Sequence, residues 1–269
     1  MPGFFIFVPA MLTKNTIKYI KSLSSKKFRE IHGSFIAEGP KIVEDMACSA
    51  LKIEKLFATQ QWLDENVSLT KNINDVFCVT AKELSSISLL TTPNQVLTTV
   101  KIPEPVFDLH LAEQALVITL DDIRDPGNLG TIIRIADWFG FKHILCSETS
   151  VDAYNPKCIQ ATMGSVARVN IYYENVQEIL KQCSGSTQIY GAFLSGDNIY
   201  NGQLENKGFL IIGNEANGIT PEIEKLVKKR LFIPSTNDSA THAESLNASA
   251  ATAIICSEFF RRSINQRTK

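Results

Sequence analysis

Apolar side chains recur along the first hundred residues with alternating helical and strand-like periods. Ile17, Ile20 and Leu23 stand among lysines, which predicts one amphipathic helix over Thr13–Phe28. Pro40 follows Glu38-Gly39 and suits the first turn of a helix through Val43 and Met46. Strand-like runs come next at Ile53–Thr59, Asp75–Thr80 and Gln95–Val100, with helices expected at Gln60–Asn66 and Ala81–Ser88. Residues 101–114 contain Pro103 and Pro105 and little periodicity, which suits a linker.

Beyond the linker the pattern sharpens. Strands are expected at Leu116–Asp121, His143–Ser147, Arg168–Tyr172, Gln188–Leu194, Phe209–Ile212 and Leu231–Pro234. Helices fit Leu129–Phe139, Pro156–Met163, Val176–Gln182, Pro221–Lys228 and Ser245–Arg262. The strands are nearly continuous apolar runs, as required when helices cover both faces of a parallel sheet. The expected organisation is a loose N-terminus (1–12), a small α/β domain (13–100), a linker (101–114) and an α/β domain with a mostly parallel sheet flanked by helices (115–269).

Composition narrows this little. Of 269 residues 44% are hydrophobic and 20% charged, which excludes disordered and low-complexity classes. The apolar stretch Phe4–Val8 is far shorter than the ~20 residues that cross a bilayer and has no basic start, so a cytoplasmic protein without a membrane partner is expected. The six cysteines form no CxxC pair and the four histidines are scattered, which points to reduced thiols and no metal. The net charge of −1 is unevenly placed: Lys14, Lys18, Lys21, Lys26, Lys27 and Arg29 lie in one stretch without an acid. They could line a nucleic-acid backbone, or form a solvated helix face.

Parallel sheets bind ligands beyond the carboxyl ends of their strands, so those turns are where chemistry is sought. In Leu120–Gly130, Asn128 is placed to cap the following helix, whose buried stripe is Leu129, Ile132, Ile133 and Ala136. Arg134 lies off that stripe, free for a ligand or for an ion pair with an acid such as Asp137. In Ile212–Ile219, Gly213 and Gly218 permit close backbone approach to a ligand, with Glu215 between them. The turn is neither a P-loop nor a GxGxxG fingerprint. A third segment runs from Ile233-Pro234 through a polar loop to Ser245-Leu246-Asn247 and a helix rich in Ala and Ser, which Ser245 could cap.

Together, DPGNLGTIIRIADWFG, FLIIGNEANGI and IP…ESLNASAATAI resemble the three motifs of the SpoU (TrmH-type) family of RNA 2′-O-ribose methyltransferases, of the SPOUT class. The N-terminal part, through NTIKYIKSLSSKKFRE…GSFIAEGPKIVED, is similar to that family's RNA-binding domain. The resemblance implies a C-terminal trefoil knot, threaded by the segment around Ile233–Asn247, and a homodimer. It implies S-adenosyl-L-methionine as cofactor, held largely by backbone at Leu194, Gly213, Ile233 and Leu246, with Asn214 and Gly218 of the same turn as candidates. Its catalytic set falls on Asn128, Arg134, Glu215, Ser245 and Asn247, with Asn128 expected to orient Arg134. The RNA-binding set would be Lys14, Lys18, Lys21, Lys26, Lys27 and Arg29. Residues 235–243 depart from the family's short, glycine-containing join.

The implied reaction methylates a ribose 2′-hydroxyl of structured RNA, with ribosomal RNA preferred. Transfer RNA, or an inactive RNA-binding or ribosome-assembly factor on the same fold, are the alternatives. A guanidinium resists deprotonation, so Arg134 is either an unusual base or, more naturally, a stabiliser of developing negative charge.

Overall fold

The computed structural model of the chain describes residues 12–183, 185–235 and 244–267. It packs as two compact units. One comprises the described residues up to Pro103 together with Asp152–Ala167; the other comprises Glu104–Val151 and the residues from Arg168 onward.

The first unit begins with two helices, α1 (Lys14–Ser22) and α2 (Lys26–His32), where the periodicity predicts one. The chain turns at Leu23–Ser25, and the Arg29 guanidinium holds that turn by donating to the Leu23 and Ser24 carbonyls at 2.8 and 2.9 Å. Then come β1 (Ser34–Glu38), α3 (Pro40–Ala47), β2 (Ile53–Ala58), α4 (Gln60–Glu65), α5 (Val67–Thr70), β3 (Asp75–Cys78), α6 (Ala81–Ile87) and β4 (Val96–Lys101). β1 is not among the expected strands; it is buried at every position and so lacks the alternation that marks a half-exposed strand. The sheet order is β1-β4-β2-β3, with β4 antiparallel to both neighbours and β2 parallel to β3. Strand alternation divides the core: Ile36, Phe57 and Leu97 join Ile20 and Leu23 on one face, while Leu56, Ala58 and Val96 join Val43 and Trp62 on the other.

The second unit contains α7 (Leu111–Gln114), β5 (Leu116–Leu120), α8 (Pro126–Phe139) and β6 (His143–Ser147). After α9 (Pro156–Thr162), which packs on β1 in the first unit, it continues with β7 (Asn170–Glu174), α10 (Val176–Lys181), β8 (Ile189–Phe193), β9 (Asp197–Asn198) and β10 (Gly208–Ile212). α11 (Pro221–Glu224), β11 (Lys229–Phe232) and α12 (Ala248–Arg267) complete it. Its seven strands run in the order β7-β6-β5-β10-β8-β11-β9, all parallel to their neighbours, as expected of an α/β sheet with helical connections. β7 and β11 each lie two residues from the expected positions, because ladder pairing and not apolarity sets their ends. α11 is shorter than expected since the Lys228 N–H already donates to the Ile189 carbonyl at 2.9 Å and enters the sheet. The expected threading of Ile233–Asn247 and most of the departing join, residues 236–243, lie outside the described residues, as do residues 1–11 of the N-terminus.

Candidate functional site

Strand order reverses between β5 and β10: β6 and β7 extend the sheet on one side, β8 and β11 on the other. Such a reversal opens a crevice beyond the strand ends, and both sequence-predicted turns leave the sheet there. Ile212 pairs with Leu120, and the Asp121 N–H donates to the Ile212 carbonyl at 2.9 Å, so the turns start side by side.

They are then bonded together. The Asp121 carboxylate accepts the Thr220 N–H at 2.6 Å; burial pushes its pKa above the usual range, and the bonds from Thr220 partly oppose that. Asp122 sits in the left-handed region at φ 58°, its N–H on Ser147 Oγ at 2.9 Å and its carbonyl accepting Asn214 Nδ2 at 2.8 Å. Asn214 Oδ1 in turn accepts the N–H groups of Ala216 and Asn217 at 2.8 and 3.2 Å. The Asn214 side chain therefore shapes the turn. Gly213 is required by contact: a Cβ there would lie 2.3 Å from the Gly218 carbonyl carbon. Gly218 is required by its φ of +69°, and both its backbone groups pair with Asn214.

α8 starts three residues earlier than expected. Asp125 is its N-cap, accepting the Asn128 N–H at 2.8 Å, with Pro126 in the first turn. Asn128 is thus not the cap, and its side chain is free to reach outward. Its Nδ2 donates to Glu215 Oε1 and its Oδ1 accepts Asn247 Nδ2 at 3.0 Å. Asn247, not Ser245, caps α12: its Oδ1 accepts the N–H of Ser249 at 3.0 Å and the Ser249 hydroxyl at 2.5 Å. This chain of bonds has one consistent polarity. Glu215 can only accept, which turns the Asn128 amide nitrogen toward it and leaves oxygen for Asn247, whose own oxygen then meets backbone N–H groups. Side chains 87 and 119 residues from Asn128 are joined in one network.

Arg134 lies outside it. Exposed on α8, its side chain makes no hydrogen bond or ion pair among the described residues, and Asn128 does not orient it as expected. Asp137, the acid that could have neutralised it, is taken by Arg168 at 2.8 Å. Ser245 is exposed and outside the network too. Reasoning from sequence passes over Ser249 and the Asp121–Thr220 link. A serine two residues past a capping asparagine was the available signal for Ser249; the Thr220 contact spans 99 residues and has none.

For a cofactor, Leu194, Gly213 and Ile233 each directly follow the last residue of β8, β10 and β11, which are adjacent in the sheet. They offer backbone groups beyond the ladder, and the exposed side chains of Leu194 and Leu246 (68% and 48%) offer apolar surface. Among the described residues no group of three or more metal-ligating side chains occurs, and no helix is long and apolar enough to cross a membrane.

In the first unit, Lys14, Lys18, Lys21, Lys26 and Lys27 are exposed. Arg29 must be removed from that set: it is 2% exposed and donates from Nε and Nη2 to Asp152 Oδ2 at 2.8 and 2.6 Å. A buried guanidinium needs such saturation of its donors.

Residues 14–98 match the MRM3-like substrate binding domain. The chain is 27% identical over 243 residues to the Bacillus subtilis 23S rRNA (guanosine(2553)-2′-O)-methyltransferase RlmP, covering 89% of this chain and 93% of that protein. A putative RNA methyltransferase of the TrmH family from Porphyromonas gingivalis superposes with a TM-score of 0.83 at 37% identity, over 94% of this chain and all of that one. The AdoMet-bound rRNA methyltransferase of Sinorhizobium meliloti gives 0.82 at 30%, over 95% and 97%. The SpoU rRNA Methylase family model matches residues 115–257, more than half of the chain and the whole of the network around Asn128, and the protein belongs to that family.

Proposed function

We propose that the protein transfers the methyl group of S-adenosylmethionine to a ribose 2′-hydroxyl of ribosomal RNA. The observation that carries this reading is the tie from Asn128 to both Glu215 and Asn247, which brings three segments remote in sequence to one crevice at the strand ends. The B. subtilis relative, named as a 23S rRNA 2′-O-methyltransferase, and the AdoMet-bound S. meliloti neighbour support the substrate and cofactor.

The cofactor, when bound, supplies an electrophilic methyl on a sulfur that leaves as a neutral thioether. The backbone at Leu194, Gly213 and Ile233 would hold the cofactor at adjacent strand ends, with the exposed Leu246 side chain as apolar surface beside it. Arg134, a planar fork without a partner among the described residues, takes a phosphate of the target strand bidentately and stabilises the negative charge that develops on the 2′-oxygen as the hydroxyl proton leaves to that phosphate or to water. Asn128, Glu215 and Asn247 hold the turns in register; that alignment is the main contribution the protein makes to a displacement of this kind. Lys14, Lys18, Lys21, Lys26 and Lys27 serve RNA binding. The protein acts in the cytoplasm and as a homodimer; for the dimer, Trp138, one turn beyond Arg134, is 83% exposed, and Phe260 and Ile264 of α12, which packs on α8, are 39% and 46% exposed, apolar side chains that a second copy could cover.

The test is incorporation of labelled methyl from S-adenosylmethionine into total rRNA and tRNA from cells lacking the protein, mapped by blocked alkaline cleavage. One labelled rRNA site, absent with Arg134→Ala, is expected. Label in tRNA alone would move the substrate, and no incorporation alongside cofactor binding would overturn naked rRNA as the target.

A further inference from the structure

α2 is built inside out. Its one buried side chain is Arg29, while Phe28 and Ile31 are 39% and 62% exposed. A surface helix ordinarily buries the apolar stripe and exposes the charge, so the outward face of α2 is made for a partner. That face carries a cluster of aromatic rings. Phe28 and His32, one turn apart, have rings inclined by only 16° with centroids 6.3 Å apart, and Tyr19 of α1 meets His32 edge-on at 5.0 Å and 83°.

The surrounding charge selects the partner. Lys14, Lys18 and Lys21 recur at i, i+4 and i+7 along the exposed face of α1, and with Lys27 they make no ion pair among the described residues. Among the described residues, Lys26 alone of these five is ion-paired, to Glu30 at a loose 3.8 Å. Lys101 lies over Gly33 at the end of α2. Lys14, Lys26 and Lys27 occupy first helical turns, where the helix dipole favours acids, so these cations do not serve helix stability. Exposed rings beside cations that, Lys26 apart, make no ion pair among the described residues match a polyanion with π-faces.

We propose that Phe28, Ile31 and His32, buttressed by Tyr19, form a stacking platform for an unpaired RNA base, with the α1 lysines holding the flanking phosphates. This rests on the protein acting on RNA, and it assigns the first unit the recognition of single-stranded or looped sequence in place of plain duplex.

The probe is a 12-nucleotide oligo(A) carrying a central 2-aminopurine, whose fluorescence falls on stacking, with the same strand in a duplex as control and the full-length protein as binder. Binding with quenching of the single strand, and weaker binding of the duplex, are expected. Phe28→Ala/His32→Ala should weaken binding about tenfold or more and abolish the quench, whereas Phe28→Trp should retain both. Lys18→Ala/Lys21→Ala should weaken binding and flatten its salt dependence, with slope reduced by about 1.4, while the saturated complex stays quenched. Wild-type binding and quenching by Phe28→Ala/His32→Ala would overturn the platform. So would loss of self-association in Phe28→Ala/Ile31→Ala with oligonucleotide binding intact, which would give this face to a second copy. Methyl incorporation measured in parallel separates the two readings: quenching without methylation overturns only the proposed reaction, and methylation with an inert aromatic face overturns only the platform.

Discussion

The polarity of the Asn128 network can be inverted on purpose. Asn128→Asp keeps the acceptor that Asn247 needs but removes the donor to Glu215 and sets two carboxylates against each other. A hydrogen bond to a charged group contributes about 1.5–3 kcal/mol net, and two like charges about 4 Å apart repel by about 1 kcal/mol in a water-like medium. The network is exposed, so the lower end applies: about 2.5 kcal/mol against the docked turn, or about 70-fold in methyl transfer at saturating cofactor. Glu215→Gln alone still offers an oxygen to Asn128 and should cost only a few-fold. In the double variant Asn128→Asp/Glu215→Gln the bond re-forms in reverse, the new amide at position 215 donating to the new carboxylate at position 128. Activity should then return to within about threefold of the Glu215→Gln single. The assay is kcat/KM on the mapped rRNA substrate, with cofactor affinity by calorimetry alongside. An Asn128→Asp enzyme within threefold of wild type would refute the contact; a double variant no better than Asn128→Asp would refute positioning as the whole role of Glu215.

Arg134→Lys should lose at least about 10²-fold in kcat with cofactor affinity unchanged, because an ammonium cannot reproduce the bidentate fork; near-normal turnover would remove Arg134 from the chemistry. Gly213→Ala drives a methyl into the Gly218 backbone and should cost about 1–3 kcal/mol and cofactor binding, more than Gly218→Ala, which meets nothing within 4 Å and carries only its φ of +69°; thermal unfolding in the reverse order would contradict the loop geometry. Burial raises the Asp121 carboxyl above its ordinary 3.8, so the folded state holds that proton more tightly than the unfolded chain and the group penalises the fold increasingly as pH rises from about 3.8 through its folded value. Asp121→Asn should remove that part of the decline in melting temperature between pH 4 and 7, and an unchanged slope would count against it. Iodoacetamide at neutral pH should modify exposed Cys48 readily and spare Cys146, whose thiol burial pushes up to about 12, until the protein unfolds; mass spectrometry reads both sites.

Local pattern carried much of this protein. The stripe Leu129, Ile132, Ile133 and Ala136 is the buried face of α8, and β6 lies at His143–Ser147 as its apolar run predicts, because side-chain burial and helical or strand period are properties of neighbouring residues. The motifs around Asn128, Glu215 and Asn247 were legible through their resemblance, in order and spacing, to those of a known family. Their wiring was not. Whether Asn128 caps its helix or reaches across to Glu215 depends on Asp125 taking the cap, and whether Arg134 is neutralised depends on Arg168 reaching Asp137 first.

Charge pattern shows the division most plainly. Along the chain, Arg29 is one more cation in the run from Lys14; in the fold it is buried on Asp152, and its neighbours Phe28 and Ile31 face solvent in its stead. Periodicity and residue type are local, and they were enough for an α/β chain and its parallel sheet; the candidate site residues needed, in addition, the resemblance of three motifs to a known family. Which polar groups satisfy one another and which remain free was settled in the folded chain, because each hydrogen bond and ion pair is won in competition among partners that only folding brings within reach.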